Sequence, residues 1–317
     1  MTTAPRAHQT KPPKKHQIVL ITGATSGIGK YTALHLARRG HRVIASGRRQ
    51  DALDLVAAEA HEAGISLETL LLDVAVAASI DAARAEIDRR TEGYGIDALV
   101  NNAGYGHAGP MSEVDDADLR RQYDTNVFGL MAVTRAFLPA MRERGYGKVL
   151  NVSSVGGRLT LPFYGAYNST KYAVESMSDA LRIELQPFGV GVVLIEPGII
   201  RTNFTPRSQE IANRYGSPGA PFAGVMPDFD ALASKSDRFA VSPASVARAM
   251  ARAIERRRPA ARYIAPFRTT IFLRFYQLMP TRVNDWMFRK TYGLSARKLL
   301  AQPARPPLLQ PGDASNA

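Results

Sequence analysis

Cysteine is absent from all 317 residues. That excludes disulfides, thiolate nucleophiles and Cys-based metal sites, and it matches a reducing, cytoplasmic compartment. Histidine is scarce too. The six histidines, at 8, 16, 35, 41, 61 and 107, show no HExxH or comparable ligand spacing, so no metal site is expected. Residues 1–16 lack the apolar core of a signal peptide and read as a disordered basic tail, neither leader nor membrane span. Acidic residues are missing where the chain is most basic. Four basic and no acidic groups stand in 1–16, fourteen against three in 241–317, and 23 against 25 between. The net charge of +13 is therefore carried by the ends, and the body is near neutral. With no recognition motif beside that charge, nucleic acid is not expected as a partner.

A chain of this length with 45% hydrophobic residues can bury a large core. Apolar β-branched runs at 18–22, 42–46, 67–72, 98–101, 148–153, 190–196 and 262–265 alternate with helical-period stretches at 31–39, 52–63, 80–91, 120–143 and 167–185. Such alternation predicts an α/β fold, a single Rossmann-type doubly wound parallel sheet of about seven strands covered by helices on both faces. Strand carboxyl ends would share one edge, where ligands bind in these folds. The division expected is a catalytic domain at 17–265, a basic amphipathic extension at 266–305 and a disordered tail at 306–317.

The first strand runs into Thr22-Gly23-Ala24-Thr25-Ser26-Gly27-Ile28-Gly29, a GxxxGxG turn that opens an amphipathic helix. Glycines there permit a tight turn and let a dinucleotide pyrophosphate approach the helix N-terminus. At the end of the second strand stands Arg48, followed by Arg49, in place of the acidic residue that would bind an unphosphorylated adenosine ribose. A guanidinium suits a 2′-phosphate, so NADP(H) is preferred and NAD(H) is the alternative. Asp73-Val74 ends the third strand, with the carboxylate available to an adenine amino group, and Asn101-Asn102-Ala103-Gly104 ends the fourth.

Tyr167 and Lys171 are four residues apart, hence on one helix face, and follow Ser154 by thirteen and seventeen positions. A nearby ammonium stabilises a phenolate, so the pair reads as an acid/base tuned below the ordinary phenol pKa of about 10. Tyr164 and Ser153 are the local competitors for these roles.

These motifs together resemble the classical short-chain dehydrogenase/reductase family over roughly 17–265: TGxxxGIG at 22–29, NNAG at 101–104, Thr125-Asn126, Ser154, YxxxK at 167–171 and PGxxxT at 197–202. The resemblance implies a catalytic tetrad of Asn126, Ser154, Tyr167 and Lys171. Pro197, Gly198, Ile199 and Thr202 would lie by the nicotinamide. It further implies hydride transfer between the cofactor and a ketone, aldehyde or alcohol, with Ser154 holding the substrate oxygen, Lys171 on the ribose and Asn126 holding a water. Homo-oligomers through the long helices are also implied.

Residues 203–240, rich in Gly, Pro and Ser, read as a substrate lid, and Tyr105, Leu161, Phe163, Tyr164 and Phe204 as apolar walls favouring a hydrophobic small molecule. The aromatic, arginine-rich stretch after 265, broken at Pro280, is loosely similar to that of members acting on retinoids, steroids and lipid carbonyls. It could cover the cleft, contact a membrane peripherally or meet another subunit. A 3-oxoacyl-thioester reductase and a non-catalytic NADP-binding protein are the competing functional readings.

Overall fold

Residues 15–300 are described in a computed structural model of the chain; most of the N-terminal basic tail and everything from 301 onward lie outside them. Seven parallel strands form one sheet: β1 (Ile18–Ile21), β2 (Arg42–Gly47), β3 (Glu68–Leu71), β4 (Ala98–Asn101), β5 (Gly147–Val152), β6 (Val190–Pro197) and β7 (Arg262–Ala265). Their order is β3-β2-β1-β4-β5-β6-β7. Winding reverses between β1 and β4, which opens a crevice at the carboxyl ends of these two strands.

Alternate residues of each strand feed opposite faces. The register aligns Ala45, Ile21, Val100, Leu150 and Val193 across the sheet. This row is buried against α1 (Gly27–Arg38) and α9 (Ala244–Glu255). One residue earlier, Ile44, Leu20, Leu99, Val149 and Val192 face the other side, under α3 (Ala77–Arg90) and α5 (Leu130–Arg144). Burial on both faces explains why the strands read as continuous apolar runs, each buried Val, Leu or Ile contributing about 1.5–3 kcal/mol. α2 (Gln50–Glu62) completes the crossover from β2 to β3.

A single helix over 120–143 is not what forms. Asp115 caps α4 (Asp116–Tyr123), accepting the Asp118 N–H at 2.9 Å, and a π-helical turn at Asp124–Gly129 then leads into α5. Helical periodicity does not reveal the wider turn, in which one extra residue shifts the side chains that follow. α6 (Gly165–Leu185) is the longest helix among the described residues.

Residues 203–240 are more ordered than their composition implies: α7 (Phe204–Asn213) and α8 (Met226–Asp237) occupy most of the segment. They join α11 (Thr281–Thr291) and α12 (Ala296–Leu300) in a second apolar cluster built on Phe163, Tyr215, Phe229 and Tyr292. Phe163 is central, with ring centroids 5.4 Å from Phe229 and 6.0 Å from both Phe222 and Tyr292. α10 (Arg268–Leu278) connects β7 to this cluster and ends before Pro280, where the sequence places a break. Among the described residues no helix is long and apolar enough to cross a membrane.

Candidate active site

The crevice is tied together by the ends of β1 and β4. The Thr22 hydroxyl accepts the N–H groups of Asn102 and Ala103, each at 3.0 Å, while the Asn102 amide donates to the carbonyls of Thr22 and Gly23. Approach is so close at Gly23 (φ +65°) that a Cβ would lie 2.7 Å from the Ala103 Cα. At Gly29 it would meet the Gly23 carbonyl at 2.4 Å. α1 therefore begins tight against the turn, with no acidic residue in its first turn and no capping bond from Ser26. Its unpaired N–H groups and positive dipole end suit a phosphate. Thr25 packs under Gly47, and Gly27 faces Thr202, which brings the loop after β6 to the same edge.

Arg48 is exposed at the end of β2 and makes no ion pair among the described residues, whereas Arg49 is 3.5 Å from Asp51. The Asp73 carboxylate accepts the Ala75 N–H at 3.0 Å, and Val74 is buried. Ile199 is exposed in the loop after β6, and Gly198 bonds its N–H to the Ala265 carbonyl. The donors, the glycine turn and the free guanidinium fit a phosphorylated dinucleotide. Among the described residues no group of three His, Asp or Glu side chains is placed to hold a metal ion.

Four side chains converge beyond that crevice. Asn126, in the π-helical turn, is fully buried. Its Oδ1 accepts the Tyr105 N–H at 3.2 Å, and its amide donates to the Tyr105 carbonyl and to Thr170. A Cβ on Gly104 would lie 3.1 Å from Asn126 Oδ1 and 3.8 Å from Lys171 Nζ, so that glycine marks where the two approach one another. Ser154 accepts the Gly156 N–H at 3.0 Å and donates to the Pro197 carbonyl at 3.5 Å, and a Cβ on Gly156 would lie 3.4 Å from its Oγ and 3.5 Å from the Tyr167 ring, so the hydroxyl and the phenol share one side of that glycine. Ser153 instead turns inward to Glu175, and Tyr164 lies on Phe229, which separates both competitors from the positions of Ser154 and Tyr167. Phe204 covers the Tyr167 ring at 5.1 Å.

The expected tuning of the phenol is not what this geometry produces. Burial pushes Tyr167 up to about 12, and only the Ser154 hydroxyl opposes it. Lys171 Nζ is 5.7 Å from the phenol ring and donates to the Val152 carbonyl at 2.8 Å. Burial brings its own pKa down to about 8, so near neutrality it is a weaker cation than a surface lysine. Desolvation of both groups outweighs their attraction. Tyr167 is thus a protonated donor at neutral pH.

Two residues of α6 belong to this arrangement without having been read from the sequence. Asn168 accepts the Leu161 N–H and donates to the Gly156 carbonyl at 2.8 Å, fixing the loop that carries Ser154. Glu175 continues the column of Tyr167 and Lys171 by one more helical turn. The only signal for either lay in counting along the helix from YxxxK.

Burial raises the Glu175 carboxyl to about 7; Ser153 and Arg262 pull it back, and Glu196 adds to the rise. Arg262 lies 3.3 Å from Glu175 and 3.2 Å from Glu196, and Arg158 reaches Glu196 at 3.3 Å. With the folded pKa above the ordinary carboxylate value, the stability tied to Glu175 is complete below about pH 4.3 and is lost as pH rises through about 7. Glu175→Gln is therefore expected to gain about 1–3 kcal/mol on the native protein between pH 5 and pH 8 in urea unfolding. An offset equal at both pH values would show that the carboxyl titrates normally.

The profile of the short chain dehydrogenase family matches residues 17–212. The 3-ketodihydrosphingosine reductase of Bacteroides thetaiotaomicron is 31% identical, over 88% of this chain and 98% of its own. The NADPH-dependent 3-dehydrocapnine reductase of Ornithobacterium rhinotracheale is also 31% identical, over 86% of this chain and 95% of its own. A short-chain dehydrogenase from Sphingobium yanoikuyae, solved with NADPH, is similar at a TM-score of 0.63 and 26% identity, covering 82% of this chain and 93% of that one. Matched along most of its length by relatives of the same architecture, the chain belongs to the short chain dehydrogenase family of NAD(P)-dependent oxidoreductases.

Proposed function

We propose that this enzyme interconverts a ketone or aldehyde and an alcohol on a hydrophobic, lipid-, steroid- or retinoid-like substrate, using NADP(H). One observation carries the reading: Ser154, Tyr167, Lys171 and Asn126 converge beneath a lid whose inner surface is aromatic. Bound NADPH supplies the hydride. The glycine turn at 23–29 and the N-terminus of α1 hold the pyrophosphate. Arg48, with Arg49 beside it, holds the 2′-phosphate, Asp73 and Val74 the adenine, and Asn102, Ala103, Gly104, Pro197, Gly198, Ile199 and Thr202 line the inner half. Ser154 Oγ holds the substrate oxygen, Tyr167 Oη delivers its proton, Lys171 holds the ribose, and Asn126 positions a water behind it. Because burial keeps the phenol protonated at neutral pH, Tyr167 stands ready to give a proton to a carbonyl oxygen.

The substrate class is supported by the aromatic cluster over Tyr167 and by similarity to a 3-ketodihydrosphingosine reductase and a 3-dehydrocapnine reductase. Phe128, Tyr172 and Ile183, exposed on the α5 and α6 side, suit the homo-oligomer implied by the family. The test is NADPH consumption against a panel of long-chain ketones, steroids, retinal, 3-oxoacyl thioesters and small sugars. We expect kcat/KM for the best hydrophobic carbonyl to exceed that of any sugar by about 100-fold or more. NADPH binding with no turnover on any compound would leave a cofactor-binding protein instead.

A further inference from the structure

The outward face of α10 is its apolar one. Phe267, just before the helix, and Ile271, Phe275 and Leu278 recur at near-helical spacing and are 76%, 67%, 62% and 85% exposed, while Leu273 on the opposite face is 1% exposed. A helix resting on a globular body presents the reverse pattern. On α11 Trp286 is likewise 63% exposed, with Lys290 5.4 Å from its ring centre. Phe239, 67% exposed, adjoins α10, because Arg268 donates to its carbonyl at 2.6 Å.

This face is not an unfolded appendage. Asn284 is buried and donates to the Tyr276 carbonyl at 3.2 Å, Tyr276 lies 5.9 Å from Phe288, and Thr269 packs against Gly198. α10 and α11 are thus held from behind with their aromatics outward. The charge along this segment is mostly of one sign: residues 266–300 contain seven basic groups, of which Lys298 is paired with Asp228, and a single acid, Asp285. Arg274, Arg282 and Arg289 make no ion pair among the described residues.

We propose that the α10–α11 face is a docking surface for an anionic phospholipid bilayer, into whose interfacial layer Phe267, Ile271, Phe275, Leu278 and Trp286 insert while Arg274 and Arg282 meet the headgroups. A second copy of the chain is a poor occupant, since an isologous contact would set arginines against arginines. A spanning helix is not needed, because the stripe is shallow and its cations are interleaved with it. The proposal rests on the surface alone and stands apart from the substrate reading.

The experiment is vesicle flotation of the full chain with NADPH bound, using phosphatidylcholine vesicles with and without about one-third phosphatidylglycerol. We expect flotation with the anionic vesicles at low salt, at least about tenfold weaker partition to the neutral ones, and loss of most binding near 1 M salt, where surface charge is screened within about 3 Å. Phe275→Asp/Leu278→Asp alters only exposed positions, so the variant is expected to keep its melting temperature and its NADPH affinity while partition falls about tenfold or more. Arg274→Glu/Arg282→Glu is expected to lower it by a similar factor, at about fivefold or more for each cation near the surface. A folded protein that stays out of the floating fraction, or flotation undiminished in both variants, overturns the assignment. So does a dimer that dissociates in Phe275→Asp/Leu278→Asp while vesicles are ignored, which would give the face to a second subunit.

Discussion

Tyr167→Phe is expected to lower turnover by about 10²–10⁴ and leave NADPH binding within about twofold of the native value, since the substitution removes one proton donor and keeps the ring that packs on Phe204. The site makes this a clean experiment. The one neighbour that draws the phenol pKa down is the Ser154 hydroxyl, and burial holds the phenol proton on up to about pH 12. Phenylalanine fills the same space without a donor, so single-turnover reduction should slow as much as steady-state turnover does, while a fluorescence titration with NADPH should be nearly unchanged. Turnover within threefold of native would mean that another group supplies the proton, and Tyr164, whose ring stands 6.5 Å from that of Tyr167, would be the first to test.

The second large effect is expected at the opposite end of the cofactor. Arg48→Ala should weaken NADPH by about 10- to 150-fold, the equivalent of about 1.5–3 kcal/mol for hydrogen bonds to a charged group, and should leave NADH binding unchanged. Arg48 is exposed and free of ion pairs among the described residues, so nothing in the fold depends on it. Arg49 already faces Asp51 and is expected to matter less. Equal weakening of both cofactors would place the guanidinium on the pyrophosphate, and no weakening would remove it from the site.

Much of this architecture is legible in the sequence, because parallel strands buried on both faces announce themselves as apolar runs and YxxxK fixes its own geometry on a helix. The glycine turn was legible for the same reason: local chemistry determines it, from Thr22 to Gly29. What could not be read depends on contacts between distant segments. The π-helical turn that buries Asn126 is a change in hydrogen-bond register with no compositional mark. The helices α7 and α8 lie in a stretch rich in turn-forming residues, and tertiary burial of Tyr215 and Phe229 overrides that propensity. Phe163, expected among the apolar walls of the substrate site, is the centre of the aromatic cluster, at φ +67°. The acidity of Tyr167 was misjudged because proximity of a lysine is visible in a sequence, whereas desolvation is not.

The aromatic cluster draws one or two rings from each of several distant stretches: Phe163 from the loop after β5, Phe229 from α8, Phe288 from α11 and Tyr292 just beyond it. Stretches that share so few interlocking parts cannot drift independently during divergence. Grafting the C-terminal helices of one relative onto another should therefore move substrate preference only when α7 and α8 travel with them, and chimaeras cut between residues 240 and 266 should be poorer catalysts than either parent.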